Sequence, residues 1–242
     1  DQPVTDPKLR THTFCHAVPG KWHVMGVMLS AGGSLRWLRD TICGEEVAAA
    51  AQAGRDPYEL MTEQAAQAPV GSEGLIFLPY LTGERTPYPD PNARGVFFGL
   101  SLRHRKPHLI RAVMEGVAYG LRDSFEIITA MGVEVTQVRA SGGGARSPLW
   151  RQIQADVTGY AHSIINVDEG PAYGAALLAG VGVGVWDSVE QACRATIRVT
   201  DTREVNPDAH RVYLQYHALY RRLYAQLEEC FDQAAALVSG VA

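Results

Sequence analysis

The sequence predicts an α/β fold, and three observations carry that prediction. Short apolar runs typical of buried strands alternate along the chain with longer segments whose apolar residues recur every three or four positions. A run of three glycines, residues 142–144, stands between an expected strand and an expected helix. The composition is that of an ordinary globular protein, because 46% of the 242 residues are hydrophobic and 20% are charged.

The first half of the chain contains four segments with the pattern of a regular element. They are a hairpin at 11–18 and 23–30, helices at 35–40 and 56–68, and a buried strand at 75–78. Asp56 and Pro57 suit the N-cap and first position of the second helix. The strand is wholly apolar, as expected in a sheet that is covered on both faces. Residues 79–94 have four prolines and no periodicity, which predicts a long ordered loop.

The second half begins with the longest predicted helix, residues 107–131, which Gly132 is expected to end. Gly116 and Gly120 within it lower helix propensity but allow a neighbouring backbone to approach closely, so we expect this helix to be buried. The remaining segments are a strand at 137–140, a helix at 148–158, a strand at 161–167, a helix at 171–180 and a terminal helical segment at 206–242.

The glycine run has the properties of a ligand-binding turn. Ser147 is a good N-cap and Pro148 suits the first helical position, so a helix N-terminus with unpaired N–H groups follows the glycines. A nucleotide site and a plain tight turn both remain open on this evidence. A dinucleotide-binding turn also needs a third glycine, and Ser147 occupies that position, although Asp168 is placed to bind a ribose.

The charge and cysteine patterns exclude several classes of protein. The formal net charge of −4 gives no electrostatic reason to expect nucleic acid or an anionic membrane as a partner. No apolar run is long enough to span a bilayer, and the polar N-terminus does not resemble a secretory signal. Four scattered cysteines predict reduced thiols and a cytoplasmic protein. Because the chain does not begin with Met, we expect it to be part of a longer one.

Three other groups of chemically active residues have a structural explanation that we favour. His12, Cys15, His16 and His23 are expected to be hairpin side chains, and His210 and His217 lie too far apart for the usual two-histidine helical site. Glu84, Arg85, Asp90 and Arg94 are expected to form ion pairs within the long loop. Glu115 is expected to be a satisfied polar group at a helix contact. No metal site is predicted.

A longer pattern resembles a known family. Gly95-Val96-Phe97-Phe98-Gly99-Leu100 is followed after seven residues by His108-Leu109-Ile110-Arg111-Ala112-Val113-Met114-Glu115. This is similar to the second signature of the FGGY carbohydrate kinases. Within that family, residues 78–87, 92–95 and 169–176 most resemble the xylulokinase branch. The resemblance extends over about residues 23–186.

The resemblance implies a fold, a reaction and a set of ligand contacts. The fold is a ribonuclease H-like domain of the actin, hexokinase and Hsp70 type, in which helices flank a mixed sheet and ATP binds in a cleft. Gly32 and Arg36 match positions near the phosphates, Gly142 and Gly143 pass beside the adenosine, and Ser147 approaches the adenine. A small helix at 172–176 packs behind the base. The reaction is phosphoryl transfer from ATP, with Mg²⁺, to a sugar hydroxyl, D-xylulose being the expected sugar.

The family pattern also implies what lies outside these residues. Its sugar-binding N-terminal domain, its catalytic aspartate and its first phosphate loop precede the region that matches. We therefore expect residues 1–242 to be the C-terminal nucleotide-binding domain, with no catalytic residue of its own and with the N-terminal domain as a partner. A homodimer, a kinase for glycerol, gluconate or ribulose, a non-catalytic nucleotide-binding module and an NAD-dependent oxidoreductase remain as alternatives.

Overall fold

A computed structural model describes residues 2–168 and 170–240. Its eight α-helices are α1 Ala31–Thr41, α2 Gly44–Ala53, α3 Pro57–Ala65, α4 Lys106–Ala130, α5 Pro148–Thr158, α6 Gly170–Gly182, α7 Val189–Thr196 and α8 Pro207–Ser239. Its seven strands are β1 His12–Cys15, β2 Trp22–Met25, β3 Ile76–Leu78, β4 Val96–Phe98, β5 Val138–Arg139, β6 His162–Ile165 and β7 Val199–Arg203. None of the helices in these ranges is long and apolar enough to cross a membrane.

The strands form three small sheets. β1 pairs with β2 and β3 pairs with β4, both antiparallel. The third sheet has the order β5-β6-β7 and is mixed, because β5 runs parallel to β6 while β7 runs antiparallel to it. The α/β class and the mixed sheet are confirmed. The expected buried strand at 75–78 is confirmed as β3, which is fully buried in a two-stranded sheet with β4.

Every helix predicted from the sequence is present, and two helices and two strands were not predicted. The unpredicted elements are α2, α7, β4 and β7. α2 buries only Glu46 and Ala50, so its sequence has no apolar stripe to detect. β7 has the sequence Val-Thr-Asp-Thr-Arg and lies at an edge of its sheet, where polar residues are tolerated.

Helix α4 is the centre of the structure and packs against α1, α3, α5, α8 and β3. Gly116 is the position of closest approach, because a Cβ atom there would lie 2.2 Å from the carbonyl oxygen of Phe77 in β3. The prediction of a buried helix with close backbone contact is therefore confirmed. Because α1, α3 and α5 all pack against α4, that helix fixes where they lie relative to one another.

Glu115 on α4 is a satisfied buried polar group, as expected. Its carboxylate accepts hydrogen bonds from the Arg111 guanidinium at 2.8 Å, the backbone N–H of Gly71 at 3.0 Å, the Ser72 hydroxyl at 2.9 Å and the Tyr213 hydroxyl at 2.8 Å. Burial raises the pKa of Glu115, whereas the Arg111 charge opposes that rise. The residues that end the family signature thus join α4 to α8 and to the turn before β3.

Candidate functional site

A cavity of about 710 Å³ opens where α1, α3, the glycine run and the start of α5 meet. Its size falls within the range of small-molecule sites. It is lined by Gly32, Leu35, Arg36, Arg55, Asp56, Tyr58, Glu59, Thr62, Glu63, Gly143, Gly144, Arg146, Ser147, Pro148 and Trp150.

Four of the five predicted site residues line this one cavity. Gly32 and Arg36 lie on α1. Gly143, in the glycine run, and Ser147, the N-cap of α5, follow more than a hundred positions later. The fifth, Gly142, is the residue before Gly143 and does not itself line the cavity. Its backbone has φ 77° and ψ −175°, a conformation that glycine adopts without strain. The fold therefore brings two separately predicted groups of residues to a shared space.

The glycine run is more ordered than a simple turn. Residues Gly143–Arg146 form one turn of 3₁₀ helix, and the N–H of Ala145 donates to the carbonyl of Gly142 at 3.0 Å. Neither Gly32 nor Gly143 has a positive φ, and a Cβ atom at either position would meet no atom within 4 Å. The fold itself therefore does not require glycine at these two positions, whereas a ligand in close contact with the backbone would.

Ser147 caps α5 as predicted and connects the site to the core. Its hydroxyl accepts a hydrogen bond from the N–H of Trp150 at 3.2 Å and lies 3.4 Å from the hydroxyl of Thr62 on α3. The Trp150 indole N–H donates to the carbonyl of Met114 on α4 at 3.0 Å. The start of α5 is thereby fixed to the helix that carries the family signature.

The cationic groups of the cavity differ in how they are paired. Arg55 bonds to Glu59 at 3.2 Å and to Glu63 at 2.5 Å, contacts that raise its pKa. Arg146 lies 3.4 Å from Asp168 across exposed surface. Arg36 has no ion-pair partner within residues 2–168 and 170–240. Its guanidinium is therefore the cavity cation that remains available for an anionic ligand.

Helix α3 forms a wall of the cavity that sequence reasoning missed. Tyr58 and Thr62 contribute to it, and the Arg39 guanidinium on α1 lies 5.1 Å from the centre of the Tyr58 ring. The sequence predicted this helix and its Asp56 cap, and the Asp56 carboxylate does accept from the N–H of Tyr58 at 2.9 Å. No motif indicated which face of α3 would meet the glycine run, because that contact depends on packing around α4.

The small helix expected behind the base belongs to α6, which contributes no residue to the lining found among the described residues. Glu169, part of the motif that precedes this helix, lies outside the described residues. The assignment of the 172–176 segment to the site therefore stays a prediction.

The expected ion pairs within the long loop are wrong. The Glu84 carboxylate accepts from the backbone N–H of Leu29 at 3.0 Å and of Arg85 at 2.8 Å. Asp90 accepts from the backbone N–H groups of Asn92 and Ala93 and from the Tyr224 hydroxyl, and Arg94 donates to carbonyls of the loop. In this loop the charged side chains bond mainly to backbone N–H and carbonyl groups and not to one another.

His12 and His23 lie on β1 and β2, and His16 directly follows β1, so these histidines are hairpin side chains, as expected. His16 accepts from the N–H of Val18, and the His210 ring bonds to the Asp156 carbonyl. His217 lies 3.0 Å from Asp123, and Glu126 completes a group of the composition that metals bind. Two guanidinium groups, those of Arg122 and Arg221, contact the same carboxylates. This is an ion-pair network in which positive charge is already supplied.

Comparison with known proteins gives consistent matches over nearly the whole chain. The FGGY family of carbohydrate kinases, C-terminal domain, matches residues 2–183. A xylulose kinase of Staphylococcus epidermidis is 39% identical over 228 residues, which are 94% of this chain and 44% of that protein. A gluconokinase of Bacillus subtilis is 37% identical over 246 residues, 100% of this chain and 47% of that protein.

The structure is also similar to solved ones. The crystal structure of ligand-bound xylulose kinase from Lactobacillus acidophilus superposes with a TM-score of 0.82 at 28% identity, covering 96% of this chain and 45% of that one. This likeness confirms the ribonuclease H-like fold. In each of these comparisons the chain spans less than half the length of the protein that it matches.

Proposed function

Since this chain belongs to the FGGY family of carbohydrate kinases, we propose that it is the nucleotide-binding domain of a sugar kinase. In this proposal the cavity between α1, α3 and α5 binds ATP, and the whole protein transfers a phosphoryl group from ATP to a sugar hydroxyl. The observation that most strongly supports this proposal is that Gly32, Arg36, Gly143 and Ser147 all line one cavity, and that this cavity is large enough for a nucleotide.

Each wall of the cavity suits a different part of the nucleotide. The N-terminal turn of α1 offers backbone N–H groups at Gly32, and Arg36 adds a charge one turn later, so this end would bind phosphate oxygens. The backbone at Gly142 and Gly143 would lie against the adenosine, and Ser147 would lie near the adenine. Such a chain would position the nucleotide, which is most of what a protein contributes to phosphoryl transfer.

In this proposal, the residues of this cavity supply neither the general base for the sugar hydroxyl nor the protein ligands of Mg²⁺. Its carboxylates are those of Asp56, which caps α3, and of Glu59 and Glu63, which contact Arg55. Each already contacts a group of this chain, and in this proposal Mg²⁺ would be held by the nucleotide and by groups outside the cavity. The proposed N-terminal domain would supply the sugar site and the aspartate that accepts the hydroxyl proton.

We propose D-xylulose as the sugar. The first four proteins matched are xylulose kinases, and residues 78–87 resemble that branch. Gluconate is the second candidate, because a gluconokinase matches the whole chain at 37% identity. Steady-state phosphorylation of both sugars by the full-length protein would decide: a higher kcat/KM for gluconate would overturn the choice of D-xylulose.

The nucleotide site is tested by paired glycine substitutions in the full-length protein. Gly32→Ala and Gly44→Ala add the same methyl group in the first turn of a helix, α1 and α2 respectively, both in open space, but only Gly32 lines the cavity. Gly143→Val and Gly44→Val form a second pair. Calorimetric titration with Mg-ADP should show at least a fivefold higher Kd for Gly32→Ala and Gly143→Val and a wild-type Kd for the two controls. Equal Kd values within each pair would refute the site.

A further inference from the structure

Helix α3 forms the wall of the cavity that reaches from α1 to the start of α5. In its first turn Tyr58 lines the cavity, and the Tyr58 ring centre lies 5.1 Å from the guanidinium of Arg39 on α1. One turn later, about 6 Å along the helix, Thr62 also lines the cavity and lies beside Ser147. In the proposed binding mode the phosphates lie at α1 and the adenine lies near Ser147. Thr62 is therefore at the adenine end of this wall.

The Thr62 hydroxyl has hydrogen-bonding capacity left for a ligand. Its oxygen lies 3.4 Å from the hydroxyl oxygen of Ser147, which is longer than the roughly 2.8 Å of a typical O–H···O hydrogen bond. Within residues 2–168 and 170–240 the Thr62 hydroxyl has no other hydrogen-bonding contact. The Ser147 hydroxyl is fixed in place, because it accepts from the N–H of Trp150 at 3.2 Å, but its own proton remains available. Two hydroxyls from helices distant in sequence thus lie side by side without satisfying one another.

The carboxylates that α3 brings to the cavity are already bonded within the chain. Those of Glu59 and Glu63 contact the Arg55 guanidinium at 3.2 Å and 2.5 Å. The Asp56 carboxylate, at the N-cap, accepts from a backbone N–H of the first turn at 2.9 Å. The Thr62 oxygen is therefore the acceptor that this wall offers near the adenine without breaking an existing bond.

We infer that Thr62 is a specificity-determining residue for the base, an inference that rests on the proposed function. The Thr62 oxygen accepts a hydrogen bond from the 6-amino group of adenine. Adenine presents this donor beside a ring nitrogen that accepts, and the Ser147 hydroxyl donates to that nitrogen. An amino donor next to a ring acceptor thus matches an acceptor next to a donor on the two neighbouring hydroxyls. A purine without the 6-amino group has no N–H to give to Thr62.

Two nucleotides that differ only in the 6-amino group test this inference in the full-length protein. They are Mg-ADP and the Mg complex of purine riboside 5′-diphosphate, which has a hydrogen in place of the amino group. A net hydrogen bond corresponds to a factor of about five in an equilibrium constant. Calorimetric titration of the wild-type protein should therefore give a Kd for the analogue that is at least about fivefold higher than the Kd for Mg-ADP.

Thr62→Val keeps the shape of the side chain and removes its hydroxyl. This variant should raise the Kd of Mg-ADP about fivefold and leave the Kd of the analogue at its wild-type value. Thr62→Ser retains the oxygen and should keep the wild-type preference for Mg-ADP. Thr129→Val is the matched control, because Thr129 is also half-buried on a helix but its hydroxyl bonds to the Phe125 carbonyl of α4, outside the cavity. It should leave both Kd values unchanged, and thermal unfolding of each variant checks folding.

The analogue separates recognition of the base from simple destabilisation. If Thr62 only stabilised α3, Thr62→Val would weaken both nucleotides by the same factor, and that result would overturn the inference. Equal binding of the two nucleotides by the wild-type protein would overturn it as well. The proposed function is judged separately: if Gly143→Val weakens Mg-ADP while Thr62→Val does not, the site stands and only the role of Thr62 is refuted.

Discussion

Glu84 should make the stability of this domain depend on pH in a direction opposite to that of an ordinary surface carboxylate. Its side chain is 3% exposed, and Oε2 has no hydrogen-bond partner among the described residues. Burial raises the pKa of Glu84 from 4.5 to about 7, although backbone N–H groups of Arg85 and Leu29 oppose the rise. The folded chain therefore binds this proton more tightly than the unfolded chain.

The sign and size of the effect follow from that difference. Stability contributed by protonated Glu84 is complete below pH 4.5 and is lost as the pH rises through about 7. At roughly 1.36 kcal/mol per pH unit, the two pKa values correspond to about 3 kcal/mol of unfolding free energy. Glu84→Gln keeps an acceptor for the Leu29 N–H but does not titrate, so this contribution should disappear in that variant.

The measurement is urea unfolding of the 242-residue chain and of Glu84→Gln from about pH 4 to about pH 8, followed by tryptophan fluorescence. Burial also raises the pKa of Asp123 and Asp156, so absolute curves mix several groups. The difference between the two proteins isolates Glu84 to a first approximation. Wild type should lose about 3 kcal/mol relative to the variant over this range. A difference that does not change with pH would refute the reasoning.

Three further predictions concern the scaffold and the reaction. Gly116→Ala should destabilise the chain by about 1–3 kcal/mol in urea unfolding, because its Cβ would lie 2.2 Å from the Phe77 carbonyl oxygen, whereas Gly174→Ala, with open space around it, should be neutral or slightly stabilising. Trp150→Phe should cost about 1 kcal/mol by removing the indole hydrogen bond to the Met114 carbonyl, and calorimetry should show weaker Mg-ADP binding, since the start of α5 loses its anchor. The 242-residue chain alone should not phosphorylate D-xylulose in a coupled assay, and activity above a mock-purified control would contradict the proposed origin of the base.

Local signals in the sequence predicted the local parts of this structure. Asp56 and Ser147 were expected to be N-caps, and each accepts a hydrogen bond from the first turn of its helix. Gly116 was expected at a close contact because glycine inside a long apolar helix otherwise only lowers its stability. Such features depend on a few consecutive residues, so their physical cause is visible in the sequence.

The parts that were missed depend on which surfaces meet. Thr62 faces Ser147 only because α3 and α5 both pack on α4, and nothing in the sequence of α3 indicates that contact. Glu84 and Arg85 are adjacent and opposite in charge, yet the Glu84 carboxylate binds backbone N–H groups that the fold brings to it. The resemblance to the FGGY family identified the expected site residues. The wall that α3 forms could be identified only from the packing of the helices in three dimensions.

Ser30 and Ser147 show why residue type alone does not decide whether a helix is capped. Both are serines at helix N-caps, and only Ser147 caps its helix. The backbone at Ser147 is extended, with φ −78° and ψ 115°, whereas Ser30 has φ −114° and ψ 23°. A serine hydroxyl reaches the first-turn N–H groups from an extended N-cap backbone, so Ser30 bonds to Thr82 instead. The capping rule therefore depends on how the preceding chain enters the helix, and the loop at residues 82–86 sets that entry through contacts with residues 27–30 that are distant in sequence.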